Sequence, residues 1–127
     1  MIRNYRPSLE RWSLEVAGGL PMAGESVSHA AEREFREETG LDVRQLSAGP
    51  TLNSLPGLGC FPIACFIADA VEGESQTLDR NERITVVRIA AEAGAVREIK
   101  ERILEPVSLA LVDYFLRTRL ESAPPPI

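Results

Sequence analysis

The stretch from Ser26 to Gly40 restricts this chain more than any other, because a well-marked helix there carries carboxylates on its own apolar face. Ser26 is placed as N-cap and Gly40 as C-cap, which predicts a helix of about 13 residues. Stepping round that helix puts Val27, Ala30 and Ala31 on one face with Phe35 at its edge, and His29, Glu32, Arg33 and Arg36 on the other. Glu34 and Glu38 then fall in the middle of the apolar face and Glu37 at its margin. An acid-rich helix is ordinarily a solvated surface, but these acids point the way of the core stripe. Unpaired carboxylates so placed are costly unless a cation or a water-filled cleft receives them. At i, i+3 and i+4 they converge and offer the hard oxygen ligands that Mg²⁺ or Mn²⁺ requires.

The 127 residues and 44% hydrophobic content fit one domain, expected over 1–121, followed by a mobile Pro-rich tail at 122–127. A net charge of -5 argues against a non-specific nucleic-acid partner, which needs a basic surface, and means that an anionic substrate would need a cation. Cys60 and Cys65 have no second pair or nearby His, so they read as buried free thiols rather than a disulfide framework or a zinc site. Gln45–Ala68 is uncharged, but Pro50, Pro56, Pro62, Gly49, Gly57 and Gly59 leave no run near the roughly 20 residues a span needs, so no membrane partner is expected. With no apolar leader at Met1–Arg6, a cytoplasmic location is the default.

Alternation over Trp12–Val16 predicts a strand with Trp12 in the core, broken by Ala17-Gly18-Gly19. Further strands are expected around 43–51, 61–70 and 84–90, with a short helix over 95–104. A last helix opens at Pro106 and is expected to bury Val107, Ala110, Leu111 and Tyr114.

Gly19, Glu25 and Arg33-Glu34-Phe35-Arg36-Glu37-Glu38-Thr39-Gly40-Leu41 match all nine specified positions of the Nudix box, G-x5-E-x7-R-E-U-x-E-E-x-G-U. A chance match at a given start is on the order of one in a hundred million at average residue frequencies. The chain therefore resembles the Nudix hydrolases. The resemblance implies an α/β fold with a mixed β-sheet sandwiched between α-helices, cleaving a nucleoside diphosphate linked to another moiety at its pyrophosphate. It implies that Glu34 and Glu38, with Glu37, bind Mg²⁺ (Mn²⁺ as substitute), that the carbonyl of Ala17 or Gly19 is a further ligand, and that Arg33 orients the carboxylates. Glu25 is either a helix-entry residue or a distant ligand.

Arg3-Asn4-Tyr5-Arg6-Pro7 and Trp12–Gly19 resemble the ADP-ribose pyrophosphatase branch, as does Ser54-Leu55-Pro56-Gly57, whose Pro56 lies fifteen residues past Leu41. The implied substrate is ADP-ribose or an ADP-sugar, split to AMP and a sugar phosphate, with Arg3, Arg6, Glu15, Pro56 and Gly57 as candidate substrate contacts. The sequence departs from the branch in having Asn4 for the usual Gln and no glutamate soon after Gly57. Glu82 is either the general base or a surface residue. Only 18 residues precede Gly19, where the branch has further strands that build its dimer, so a homodimer covering an open sheet edge is expected. A Nudix-fold binding or regulatory module without hydrolase activity is the alternative. Such modules typically lose box carboxylates, and this chain keeps them all.

Overall fold

The computed structural model describes residues 1–90 and 93–121. The acid-bearing helix, α1 (Val27–Thr39), has both expected caps: the Ser26 hydroxyl accepts the His29 N–H at 3.2 Å, and Gly40 ends the helix at φ 69°, donating its N–H to the Arg36 carbonyl. Gly40 is also pressed against the chain that returns past it, so that an added Cβ would lie 2.6 Å from the Glu74 carbonyl oxygen and 3.1 Å from the Gln76 nitrogen. Both are backbone atoms that cannot swing aside. Gly40→Ala is therefore expected to destabilise by about 2–4 kcal/mol, the left-handed penalty plus overpacking, read as a lower urea midpoint.

Strands β1 (Ile2–Arg6) and β2 (Arg11–Glu15) form a hairpin through a 3₁₀ turn at Pro7–Leu9, with pairs Ile2↔Glu15, Arg3↔Leu14, Asn4↔Ser13 and Tyr5↔Trp12. Strands β3 (Leu41–Asn53) and β4 (Pro62–Glu72) form a longer hairpin. Its register breaks between Ala48 and Thr51, where Pro50 has no N–H to give the ladder. Strand β5 (Ile84–Val86) pairs with the other side of β1, giving one sheet in the order β2-β1-β5 and a second of β3-β4, all pairs antiparallel. The strand expected to reach residue 90 ends at 86, with Val87 still exchanging backbone hydrogen bonds with Met1 beyond the Ile2↔Val86 pair.

Helices α2 (Ala93–Lys100) and α3 (Pro106–Glu121) complete the α/β architecture. Leu14 packs with Ile99, Ile103 and Val112, and Val16, Val87 and Leu116 surround them. On the same sheet's other face, Glu15 turns towards α1. Among the described residues no helix is long and apolar enough to cross a membrane.

Several side chains lie elsewhere than the alternation and helical phase predict. Helix α3 buries Ser108, Leu111 and Val112, while Ala110 and Tyr114 are exposed and Val107 is half-buried. The helix is turned so that the Ser108 hydroxyl, not Ala110, faces the sheet, where it accepts a backbone N–H. Trp12 is 44% exposed, since it lies on an edge strand beyond the reach of the helices that cover Leu14. Its ring meets Tyr5 edge-on and carries the Arg3 guanidinium 4.4 Å from its centroid. Val27, in the first turn of α1, is exposed, and so is Cys60 in the β3–β4 connection, although Cys65 is buried. β1 is an interior strand. The edges of its sheet are β2 and β5, and on β2 the Leu14 N–H is already taken by the Arg102 carbonyl.

Candidate functional site

Beyond Glu15 the chain leaves the sheet as an irregular segment, Val16–Leu20, and runs against α1. The Gly18 N–H donates to Glu38 Oε2 at 2.9 Å. At Gly19 an added Cβ would stand 2.2 Å from Glu34 Oε1, so only a glycine lets the backbone come this close to the Glu34 carboxylate. Glu34 and Glu38 thus face a glycine loop, and Glu38 is buried at 5% exposure. The helix phase places them there, and Ala30 is the apolar residue of α1 buried along with Glu38.

Arg33 gathers the acids around it. Its Nε and Nη2 each lie 3.0 Å from a different oxygen of Glu25, Nη1 donates to Glu34 at 2.8 Å and to Glu37 at 3.0 Å, and Nη2 also reaches the Leu20 carbonyl. Glu25 first, and then Glu34, raise the guanidinium's pKa further above its ordinary value. Glu25 in turn is held low by Arg33 and by the Met22 N–H. To the two readings of Glu25 the structure adds an observed contact, in which both its oxygens fix Arg33. Eight residues separate them, and the link crosses from loop to helix, so helical periodicity gives no sign of it.

Glu38 has a carboxyl pushed up to about 7, first by burial and then, against the opposing pull of the Gly18 N–H, by the charges of Glu34, Glu82 and Glu15. The three other acids therefore each repel a charged Glu38. Because the folded pKa is above the unfolded value of 4.5, Glu38 contributes stability that is full below pH 4.5 and is lost as pH rises through about 7. In metal-free protein, Glu38→Gln should therefore raise the melting temperature at pH 8 and lose that advantage towards pH 5, as scanning calorimetry at the two pH values would show.

The other expected site residues divide. Arg6 donates from Nε and Nη2 to the two oxygens of Glu15 at 2.9 and 2.6 Å, and Asn4 reaches the same carboxylate, so Asn4, Arg6 and Glu15 share the sheet face turned to α1. Arg3 is one residue out of phase with them. It lies on the opposite face over Trp12, and the structure does not bring it to the acids. Pro56 and Gly57 are exposed in a turn where Leu58 and Gly59 N–H groups donate to the Leu55 carbonyl. Among the described residues no hydrogen bond or ion pair joins them to α1. Glu82, just before β5, is exposed, and its Oε2 accepts the Asp79 N–H at 2.8 Å while its charge reaches Glu38. Segment 76–77 also closes the end of α1, with the Gln76 side chain donating to the Glu38 carbonyl and the Thr77 N–H to that of Glu37.

Among the described residues no three His, Cys, Asp or Glu side chains are already assembled as a metal cage, since Arg33 occupies oxygens of Glu34 and Glu37. The donor set nevertheless fits a hard divalent cation. All the donors are oxygens, the glycine loop leaves Glu34 open to the backbone, and the acids outnumber the cations around Glu38, so that added positive charge would relieve their repulsion.

Comparison with known proteins agrees with this geometry. The NUDIX domain family profile matches residues 1–91. The ADP-ribose pyrophosphatase of Bacillus subtilis strain 168 is 26% identical over 121 residues, covering 94% of this chain and 65% of that protein. The methanol dehydrogenase activator of Bacillus methanolicus is 27% identical over 90% of this chain and 63% of that protein. The ADP compounds hydrolase NudE of Escherichia coli K12 is 32% identical over 69% of this chain and 47% of its own length. The chain thus spans 65% or less of each of these curated relatives.

Proposed function

The chain belongs to the NUDIX domain family, and from that premise we propose that it hydrolyses the pyrophosphate bond of a nucleoside diphosphate linked to a second moiety, with ADP-ribose or an ADP-sugar as substrate. The observation that carries this reading is the placing of Glu34 and Glu38 against one glycine loop, within reach of the charges of Glu15 and Glu82. So many acids in one place are unfavourable for packing alone and useful where a cation and a phosphate ester must meet.

Glu34, Glu37 and Glu38, with the carbonyl of Ala17 or Gly19, would hold Mg²⁺ or Mn²⁺. Once bound, the ion would neutralise charge on the pyrophosphate oxygens and lower the pKa of a water. The protein's own groups supply the rest. Arg33, fixed by Glu25, holds Glu34 and Glu37 in orientation through one guanidinium nitrogen. Arg6, held by Glu15 and still half exposed, is placed to meet an anionic oxygen of the substrate. Glu82 is the exposed acid of the set and the candidate general base, with one oxygen fixed by the Asp79 N–H. Attack of water on one phosphorus breaks the bridging P–O bond, and ADP-ribose would give AMP and ribose phosphate. The choice of an adenosine diphosphate rests on the names of the relatives from B. subtilis and E. coli and on the Pro56-Gly57 loop.

The test is incubation of the protein with Mg²⁺ or Mn²⁺ and a panel of ADP-ribose, ADP-sugars, GDP-sugars, dinucleoside polyphosphates, NADH and nucleoside triphosphates, with products identified by chromatography. AMP and a sugar phosphate from ADP-ribose or an ADP-sugar are expected. Much faster turnover of triphosphates would overturn the substrate class. No metal-dependent cleavage of any member would favour a binding or regulatory module instead.

A further inference from the structure

Besides the Arg33 bond to the Leu20 carbonyl, the metal-facing loop is fixed at two points, and one of them lies outside the stretch that the family profile matches. From α1, Glu38 accepts the Gly18 N–H. From α3, Ser108 Oγ accepts the Val16 N–H at 2.9 Å, across 92 residues of sequence. Between these bonds lies Ala17, and beyond them Gly19 presses on Glu34. Ser108 is 1% exposed, and its own N–H and that of Val107 are taken by the Glu105 carboxylate, which caps α3 and fixes the turn that carries the hydroxyl. The loop has no ladder partner of its own after Glu15. Its path past the acids is therefore set at one end by Ser108 and at the other by the bonds to α1.

Resting on the metal-dependent reading above, we infer that Ser108 is a positioning residue of this site: by holding Val16 it places the backbone of Ala17–Gly19 against Glu34 and Glu38, and so tunes the affinity for the divalent ion. A simpler role would be to satisfy one buried N–H. Strand β2, which leads into the loop, supplies the control for that role. Ser13, also 1% exposed, accepts the Leu104 N–H at 3.3 Å across 91 residues, but its bond docks the α2–α3 connection and leads to no acid of α1. The two serines have the same burial and the same kind of partner. They differ in whether the metal-facing loop is at the other end.

The experiment compares the Mg²⁺-induced rise in melting temperature, and Mn²⁺ affinity by calorimetry, for the wild type, Ser108→Ala, Ser13→Ala, Ser108→Cys and Glu34→Gln. Outer-shell partners of metal ligands typically change metal affinity 10–100-fold when removed. Ser108→Ala should weaken Mn²⁺ binding by about tenfold or more on that scale and lose most of the Mg²⁺ shift. Ser13→Ala should lower the metal-free melting temperature and keep the wild-type metal response. Ser108→Cys, with a weaker acceptor at the same atom, should fall between, and it carries the test if the alanine variant does not fold. A wild-type metal response in Ser108→Ala or Ser108→Cys, or an equal loss in Ser13→Ala, would overturn the role of Ser108. If Glu34→Gln also responds like the wild type, or the wild type does not respond at all, the metal reading itself is overturned and the role of Ser108 with it.

Discussion

Exchanging Glu34 or Glu38 for Gln should reduce turnover of the pyrophosphate substrate by about 10²–10⁴-fold and leave the protein folded. Gln keeps the volume of Glu and nearly its helix propensity, so α1 should be unaffected. The Gly18 N–H still finds an oxygen at position 38, and Arg33 still finds one at position 34. The change is one negative charge fewer in a group where Glu15, Glu34 and Glu82 repel Glu38. Metal-free stability should therefore hold or rise, while the stabilisation gained on adding Mg²⁺ should shrink, because that gain depends on binding to the folded state alone. Glu37→Gln is expected to lose activity as well, since Glu37 shares a guanidinium nitrogen with Glu34. Glu32→Gln is the comparison, as Glu32 lies on the helix face away from the loop. Glu25, by contrast, is no neutral control, because it anchors Arg33. Wild-type turnover in Glu34→Gln and Glu38→Gln at saturating Mg²⁺, with loss in Glu32→Gln, would show that the chemistry lies elsewhere.

Local signals made α1 and its acids legible. A serine cap, a glycine stop and spacing of three and four residues act within one helix, and they set both its bounds and its phase without help from the rest of the chain. What the sequence did not reveal depends on contacts between distant segments. The orientation of α3 is set by a hydroxyl that meets the backbone N–H of Val16, just past β2, and nothing in an apolar repeat favours Ser108 over Ala110 for the inward position. Trp12 obeys the alternation that predicts a core residue, yet it lies on an edge strand that no element covers at that point. Arg3 and Arg6 look equivalent as two arginines of one short strand, but an odd separation sends them to opposite faces, and the pairing Ile2↔Glu15 decides which of them meets the acid. The part played by Glu25 needed the loop's path, which no periodicity reports.

Gly19→Ala should approach the carboxylate substitutions in effect without removing any charged group. The new Cβ would lie 2.2 Å from Glu34 Oε1 and 2.3 Å from its Cδ, distances that no packed carbon tolerates. The atoms in its way are the far end of a flexible side chain, so the strain is relieved by Glu34 swinging aside rather than by unfolding. That movement costs Glu34 its 2.8 Å contact with Arg33 as well as its place beside the loop. A loss on the order of 10²-fold in turnover is expected, typical of a disturbed metal shell, with a melting temperature within a few degrees of the wild type. Gly18→Ala is the matched control. Nothing lies within 4 Å of a Cβ built there, and the Gly18 N–H would still reach Glu38. If the two alanine variants retain equal activity, the close approach of Gly19 to Glu34 has no part in catalysis; if Gly19→Ala alone fails while both stay folded, the backbone at Gly19 and the carboxylate of Glu34 act as one unit.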